Sequence, residues 1–92
     1  MRLEDEYPGD EAFARFSKAF EQHWLAFAGK QALLEKLSGD VELARAVAGQ
    51  CAESSLEWLD QEVPALGSMT PLECLATKSG MRRLRTCLMR MP

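Results

Sequence analysis

The sequence predicts an all-α fold: a small bundle of about five helices, with a short capped helix and a terminal helix at the C-terminus. Three observations lead there. Apolar residues recur at steps of three and four along most of the chain, which is helical phase. β-branched residues are scarce (three valines, three threonines, no isoleucine), and no stretch alternates as a strand would. Cap and turn residues punctuate the periodic stretches, and neither an internal repeat nor a low-complexity tract interrupts them.

Residues 1–9 are expected to fray, and Tyr7-Pro8-Gly9 reads as a turn. Asp10 is the expected N-cap of the first helix, which carries Phe13, Phe16, Phe20, Trp24 and Phe27. Their steps of 3, 4, 4 and 3 place all five on one stripe, read as core or as the seam of a homodimer. Gly29 suits that helix's end. A short second helix bears Leu33, Leu34 and Leu37, and Ser38-Gly39-Asp40 closes it and caps the third. The third is expected to run to about Asp60, with Ala44, Val47, Ala48, Cys51, Trp58 and Leu59 in phase and Ser55 as a small gap.

The C-terminal part carries the densest local signals. Pro64 pushes Glu62-Val63 out of helical geometry, and Gly67 permits a positive φ. Thr70-Pro71-Leu72-Glu73 has the form of a capping box. Threonine stands at the cap, proline at N1 lacks only an N–H that would be orphaned anyway, and glutamate at N3 can reach back. That short helix ends near Ala76, and Thr77 reads as a second N-cap with Gly80 in the first turn of the last helix. Met81, Leu84, Leu88 and Met91 share one face there, while Arg82, Arg83, Arg85 and Arg90 cover much of the rest. The bland reading of those arginines is a solvated face suited to a helix C-terminus. The functional one is a surface for an anionic partner, since the guanidinium fork pairs with carboxylates and phosphates at two points.

Ninety-two residues make one small domain, with a radius of gyration of roughly 12–13 Å. A core that small favours burying further surface in a partner or a second copy. Residues 1–43 form an N-terminal helical segment of two helices, residues 44–92 a C-terminal module, and together they are expected to make a single compact domain. The net charge of −3 argues against a protein working through phosphate contacts. It is also unevenly spread. Residues 1–43 hold nine acids and five bases, and residues 44–92 hold five acids and six bases, with no acid after Glu73. The N-terminus is acidic without an apolar run, and the longest apolar run is five residues from Trp24, so neither a signal peptide nor a membrane span is expected. Three cysteines without a C-x-x-C spacing fit a reducing compartment, and a cytoplasmic location is expected.

Enzymatic chemistry finds little to work with. His23 is the one histidine and has no cysteine near it in sequence. Cys51, Cys74 and Cys87 lack the tight ligand pairs of structural zinc sites and read as small core residues. No nucleophile elbow and no phosphate-cradling glycine loop is present. The chain is therefore read as a non-enzyme without cofactor or metal.

The ordered set Trp58-Leu59, Pro64-Ala65-Leu66-Gly67, Thr70-Pro71-Leu72-Glu73, Leu75, Thr77, Gly80 and Leu84 resembles the toxin-binding domain of the Xre/MbcA/ParS antitoxins, over roughly residues 44–92. Ser68 departs from the pattern where the family usually has a second glycine, and no long DNA-binding region precedes the module. The resemblance implies half of a bacterial toxin–antitoxin pair. The partner would be a RES-type toxin that consumes NAD, blocked at its active site by the antitoxin's C-terminal part, and the antitoxin would be a dimer. Arg82, Arg83, Arg85, Arg90, Met91 and Pro92 are then the expected partner contacts, the tail-less end reaching into a cleft.

Two alternatives stand beside this reading. One is a helical adaptor or oligomerisation domain that kept the fold and lost the toxin. The other is a DNA-binding autoregulator with a reduced helix-turn-helix over residues 30–60. Its reading helix, residues 50–60, would hold Glu53, Glu57 and Asp60 with no lysine or arginine, so DNA binding by this chain alone is not expected.

Overall fold

A computed structural model describes residues 3–91. The chain forms α1 (Asp10–Lys18), α2 (Glu21–Ala26), α3 (Lys30–Lys36), α4 (Val41–Cys51), α5 (Ser55–Leu59), α6 (Pro71–Cys74) and α7 (Lys78–Arg90). Three 3-10 turns join them, at Leu3–Glu6, Ala52–Ser54 and Pro64–Leu66. Among the described residues there is no strand, only an isolated antiparallel bridge between Val63 and Met69. The fold is all-α as expected, and its radius of gyration is 12.1 Å.

α4 is the centre of the bundle. Asp40 caps it as expected, its Oδ1 accepting the Leu43 N–H at 3.1 Å. Leu43, Ala44, Ala46, Val47 and Ala48 are all buried. The three alanines keep this helix slim and let its neighbours approach on several sides. Phe13, Leu33, Leu37, Leu59, Leu66, Leu84 and Leu88 close around it. Each such side chain contributes about 1.5–3 kcal/mol relative to exposure.

The aromatic stripe belongs to this core. Phe13 and Trp24 are buried, and Phe16 and Phe27 are half-buried against the same cluster. The helix that carries it is not continuous, however. At Ala19 the N–H is shared between Arg15 O (3.3 Å) and Phe16 O (3.2 Å), and Phe20 N–H bonds Ser17 O at 3.0 Å. This tightening ends α1 and lays the Phe20 ring over Gly49 of α4. A Cβ on Gly49 would stand 2.2 Å from that ring, so only glycine admits the contact.

The expected third helix is broken too. Ala52 takes φ 48° and ψ −123°, a rare conformation for alanine, and separates α4 from α5. Ser55 is buried at the break rather than open to another helix. Its hydroxyl donates to Ala52 O at 2.6 Å, a carbonyl that the Ser55 N–H also reaches, and lies 3.4 Å from Val47 O, bracing the kink. These two breaks turn five expected helices into seven.

Two further expectations are corrected at the N-terminus. Gly9, at φ 107°, is the N-cap of α1, and Asp10 stands inside the first turn, its carboxylate taking the Tyr7 hydroxyl at 2.6 Å. Residues 3–9 are also not frayed: Leu3–Glu6 lies along α7, with Leu3 and Tyr7 packed against the core.

Candidate partner-binding surface

The C-terminal module is assembled from caps and close contacts. Thr70 Oγ1 accepts the Glu73 N–H at 3.1 Å, and Glu73 Oε1 accepts the Thr70 N–H at 2.8 Å, completing the capping box of α6. Pro71 is buried at N1. Thr77 Oγ1 accepts the Gly80 N–H at 2.9 Å and starts α7. Gly80 has a tertiary reason as well: a Cβ there would lie 2.3 Å from the Cys74 carbonyl oxygen. The end of α6 thus sits directly on the first turn of α7.

Upstream, residues 63–69 form a pinched loop. Val63 N–H bonds Met69 O at 3.0 Å, and Ser68 N–H bonds Val63 O at 3.2 Å. Gly67 takes φ 70°, as expected, and Ser68 follows with φ 64°. The serine therefore occupies a left-handed position that suits glycine. Leu66 plugs the core, Pro64 is exposed, and Trp58 is half-buried against the cluster.

The far end of α7 is held by a residue that sequence reading did not single out. Gln50 of α4 donates through Nε2 to Leu88 O at 2.7 Å and Met91 O at 3.3 Å. It tethers the last turn of α7, where Leu88 O also takes the Met91 N–H at 3.4 Å. Met91 is half-buried against the core, and Pro92 lies outside the described residues.

The four arginines of α7 do not make one free face. Arg83 pairs with Glu4 through two hydrogen bonds, Nε to Oε1 at 3.0 Å and Nη2 to Oε2 at 2.8 Å. Its Nη1 also lies 3.4 Å from Leu66 O, tying the loop to α7. Glu4's side chain is 8% exposed. The Arg83 hydrogen bonds, helped by the Ser79 hydroxyl, hold its carboxyl well below its ordinary 4.5, at about 2. Arg85 is 16% exposed and lies 4.8 Å over the Phe13 ring. It donates to Tyr7 Oη and Asp10 Oδ1, each at 3.0 Å, with Asp40 Oδ2 at 3.8 Å. Arg90 pairs with Glu6 at 2.6 Å and stays half-exposed. Arg82 alone among the four is exposed with no side-chain partner among the described residues. It lines an open groove of about 960 Å³ between α7 and the N-terminal segment, shared by Lys78, Arg85, Met81 and Leu75 with the carboxylates Glu4, Asp5 and Asp10.

The three cysteines are free, and burial raises each thiol pKa, Cys51 to about 11, which disfavours the nucleophilic thiolate. His23 is exposed and stacks on Phe27. Among the described residues, no three His, Cys, Asp or Glu side chains are grouped to hold a metal. Residues 50–60 make no single reading helix either, because the chain breaks at Ala52 and Asp60 pairs with Lys36 at 2.7 Å. No helix among the described residues is long and apolar enough to cross a membrane.

With this geometry in place, the comparison with known families is decisive. The model of the antitoxin Xre/MbcA/ParS C-terminal toxin-binding domain matches residues 43–91, more than half of the chain. The chain belongs to that family. No curated protein and no solved structure matches it. The toxin-binding domain begins inside α4 and ends just past α7, so it includes the central helix, the pinched loop and both capped helices. Residues 43–44 lie within α4, so the expected boundary between N-terminal segment and module falls inside one helix. Membership in an antitoxin family suggests a non-enzymatic role and a toxin as partner.

Proposed function

We propose that this protein is a non-enzymatic antitoxin that binds and neutralises a RES-type, NAD-consuming toxin through α6 and α7. The observation that carries the reading is the family match spanning the capped α6–α7 unit, together with the exposed cations Lys78 and Arg82 on its groove. A helix pre-shaped by two caps, a glycine contact and the Gln50 tether loses little conformational freedom on docking. Arg82, Arg90, Met91 and Pro92 are the proposed contacts, with the terminal residues nearest the toxin's NAD site. Arg83 and Arg85 hold the surface together from within the free protein.

A homodimer remains part of the proposal, though the buried Phe13 and Trp24 already serve their own chain. The large apolar residues left exposed for a second copy are Leu25 and Val41, with Phe16, Phe20 and Phe27 half-buried. A single monomer mass at micromolar concentration contradicts that part. The main test is co-expression with the RES-type protein that this chain captures from its native cell. The full chain should protect growth, and a version lacking residues 90–92 should not. Full protection by the shortened chain overturns the terminal-contact reading.

A further inference from the structure

Residues 3–10 lie on α7, the helix through which the proposed function docks the toxin. Glu4 meets Ser79 and Arg83, Glu6 meets Arg90, and Asp10 meets Arg85. Ser79, Arg83 and Arg90 stand at offsets of 0, 4 and 11 along α7, which is one stripe of a helix. The strap therefore presents carboxylates in register with that stripe over about three turns.

Its hold combines packing with charge. Leu3 and Tyr7 pack against the core and the Glu4 side chain is 8% exposed, while the Glu6–Arg90 pair is more open and is screened by salt. The strap joins α1 at Gly9, whose φ of 107° is a conformation few other residues adopt, and where an added Cβ would touch nothing. Residues 3–10 hold four acids and no base, so against −3 for the whole chain the remainder carries +1. Lifting the strap bares a basic stripe on a protein otherwise close to neutral.

We propose that residues 3–10 are an internal stand-in for an acidic segment of the toxin, and that toxin binding displaces them from Arg83, Arg85 and Arg90. This rests on the reading that α7 docks the toxin. The strap then lowers the apparent affinity by the fraction of molecules in which it is closed. It also keeps the arginine stripe from capturing other anions in the free protein.

The test measures binding of the purified toxin that co-purifies with this protein, at fixed salt, to four full-length chains. They are the wild type, Glu4→Gln with Glu6→Gln, Asp5→Asn, and Arg82→Glu. Asp5 is exposed and has no hydrogen-bond or ion-pair partner among the described residues, although it lines the same groove, so it reports on local charge without breaking a strap–α7 pair. The double variant should bind roughly tenfold tighter and Asp5→Asn should match the wild type. Should the double variant fold poorly, Glu6→Gln alone, at the half-exposed Arg90 pair, should still tighten binding by roughly threefold. Unchanged or weaker binding by the strap variants, or equal tightening by Asp5→Asn, overturns the proposal. Arg82→Glu separates the two failures. If it weakens binding while the strap variants do nothing, only the strap idea falls. If it too has no effect, the α7 docking reading falls with it.

Discussion

Replacing Gly80 by alanine should destabilise the protein although it puts a better helix former into a helix. The added Cβ would lie 2.3 Å from the Cys74 oxygen and 3.0 Å from the Cys74 carbon and Cα. These are backbone atoms, so no side-chain rotation relieves the clash. α6 cannot simply retreat, because Pro71 and Cys74 are buried and its first turn is locked by the capping box. Overpacking of this kind costs about 1–3 kcal/mol, with the upper end expected against backbone. Alanine recovers about 1 kcal/mol of helix propensity. The net loss should be about 1–2 kcal/mol, which in a domain of this size lowers Tm by about 5–15 °C. Thermal unfolding followed by circular dichroism, with urea titration as a check, reads this directly. Lys78→Ala, exposed in the same first turn, is the control and should stay within about 0.5 kcal/mol. A Gly80→Ala protein as stable as the wild type would refute the close α6–α7 contact.

Three other outcomes follow from the same geometry. Ser68→Gly should raise stability by about 0.5 kcal/mol, because relief of a left-handed serine outweighs the entropy of glycine; a lower urea midpoint contradicts it. Gln50→Ala should cost about 1 kcal/mol and raise hydrogen exchange at the end of α7; unchanged exchange there contradicts the tether. Glu4's carboxyl is depressed from 4.5 to about 2, so the stability it contributes is fully present above pH 4.5 and is lost as pH falls from 4.5 towards 2. Glu4→Gln should therefore be less stable than the wild type near neutrality, and the two urea midpoints should converge by about pH 2. Midpoints that stay parallel across that window would show that Glu4 is not paired in the folded protein.

What the sequence made legible was local. Asp40, Thr70 with Glu73, and Thr77 each act within three residues of themselves, and Gly67 acts on its own backbone, so residue type and spacing were enough. The helix breaks at Ala19–Phe20 and at Ala52 have no local marker. They follow from packing: Phe20 must reach Gly49, and α5 must turn back onto the core. The strap was misread as a frayed end because its partners lie more than seventy residues away. One signal for it did exist. An acidic start faced a C-terminal run of arginines with no acid after Glu73, and that complementarity favoured the chain's own carboxylates as readily as a partner's. The same oversight made Arg83 and Arg85 look outward, whereas only Arg82 is free of side-chain partners among the described residues.

The central claim is that the exposed basic edge of α7 is where the toxin docks. Backbone hydrogen exchange of the full chain, alone and saturated with the toxin, tests it most directly. Slowed exchange concentrated in α6, in α7 and at Met91 is the predicted footprint. Protection confined to α1–α3, with α7 unchanged on toxin binding, would contradict it.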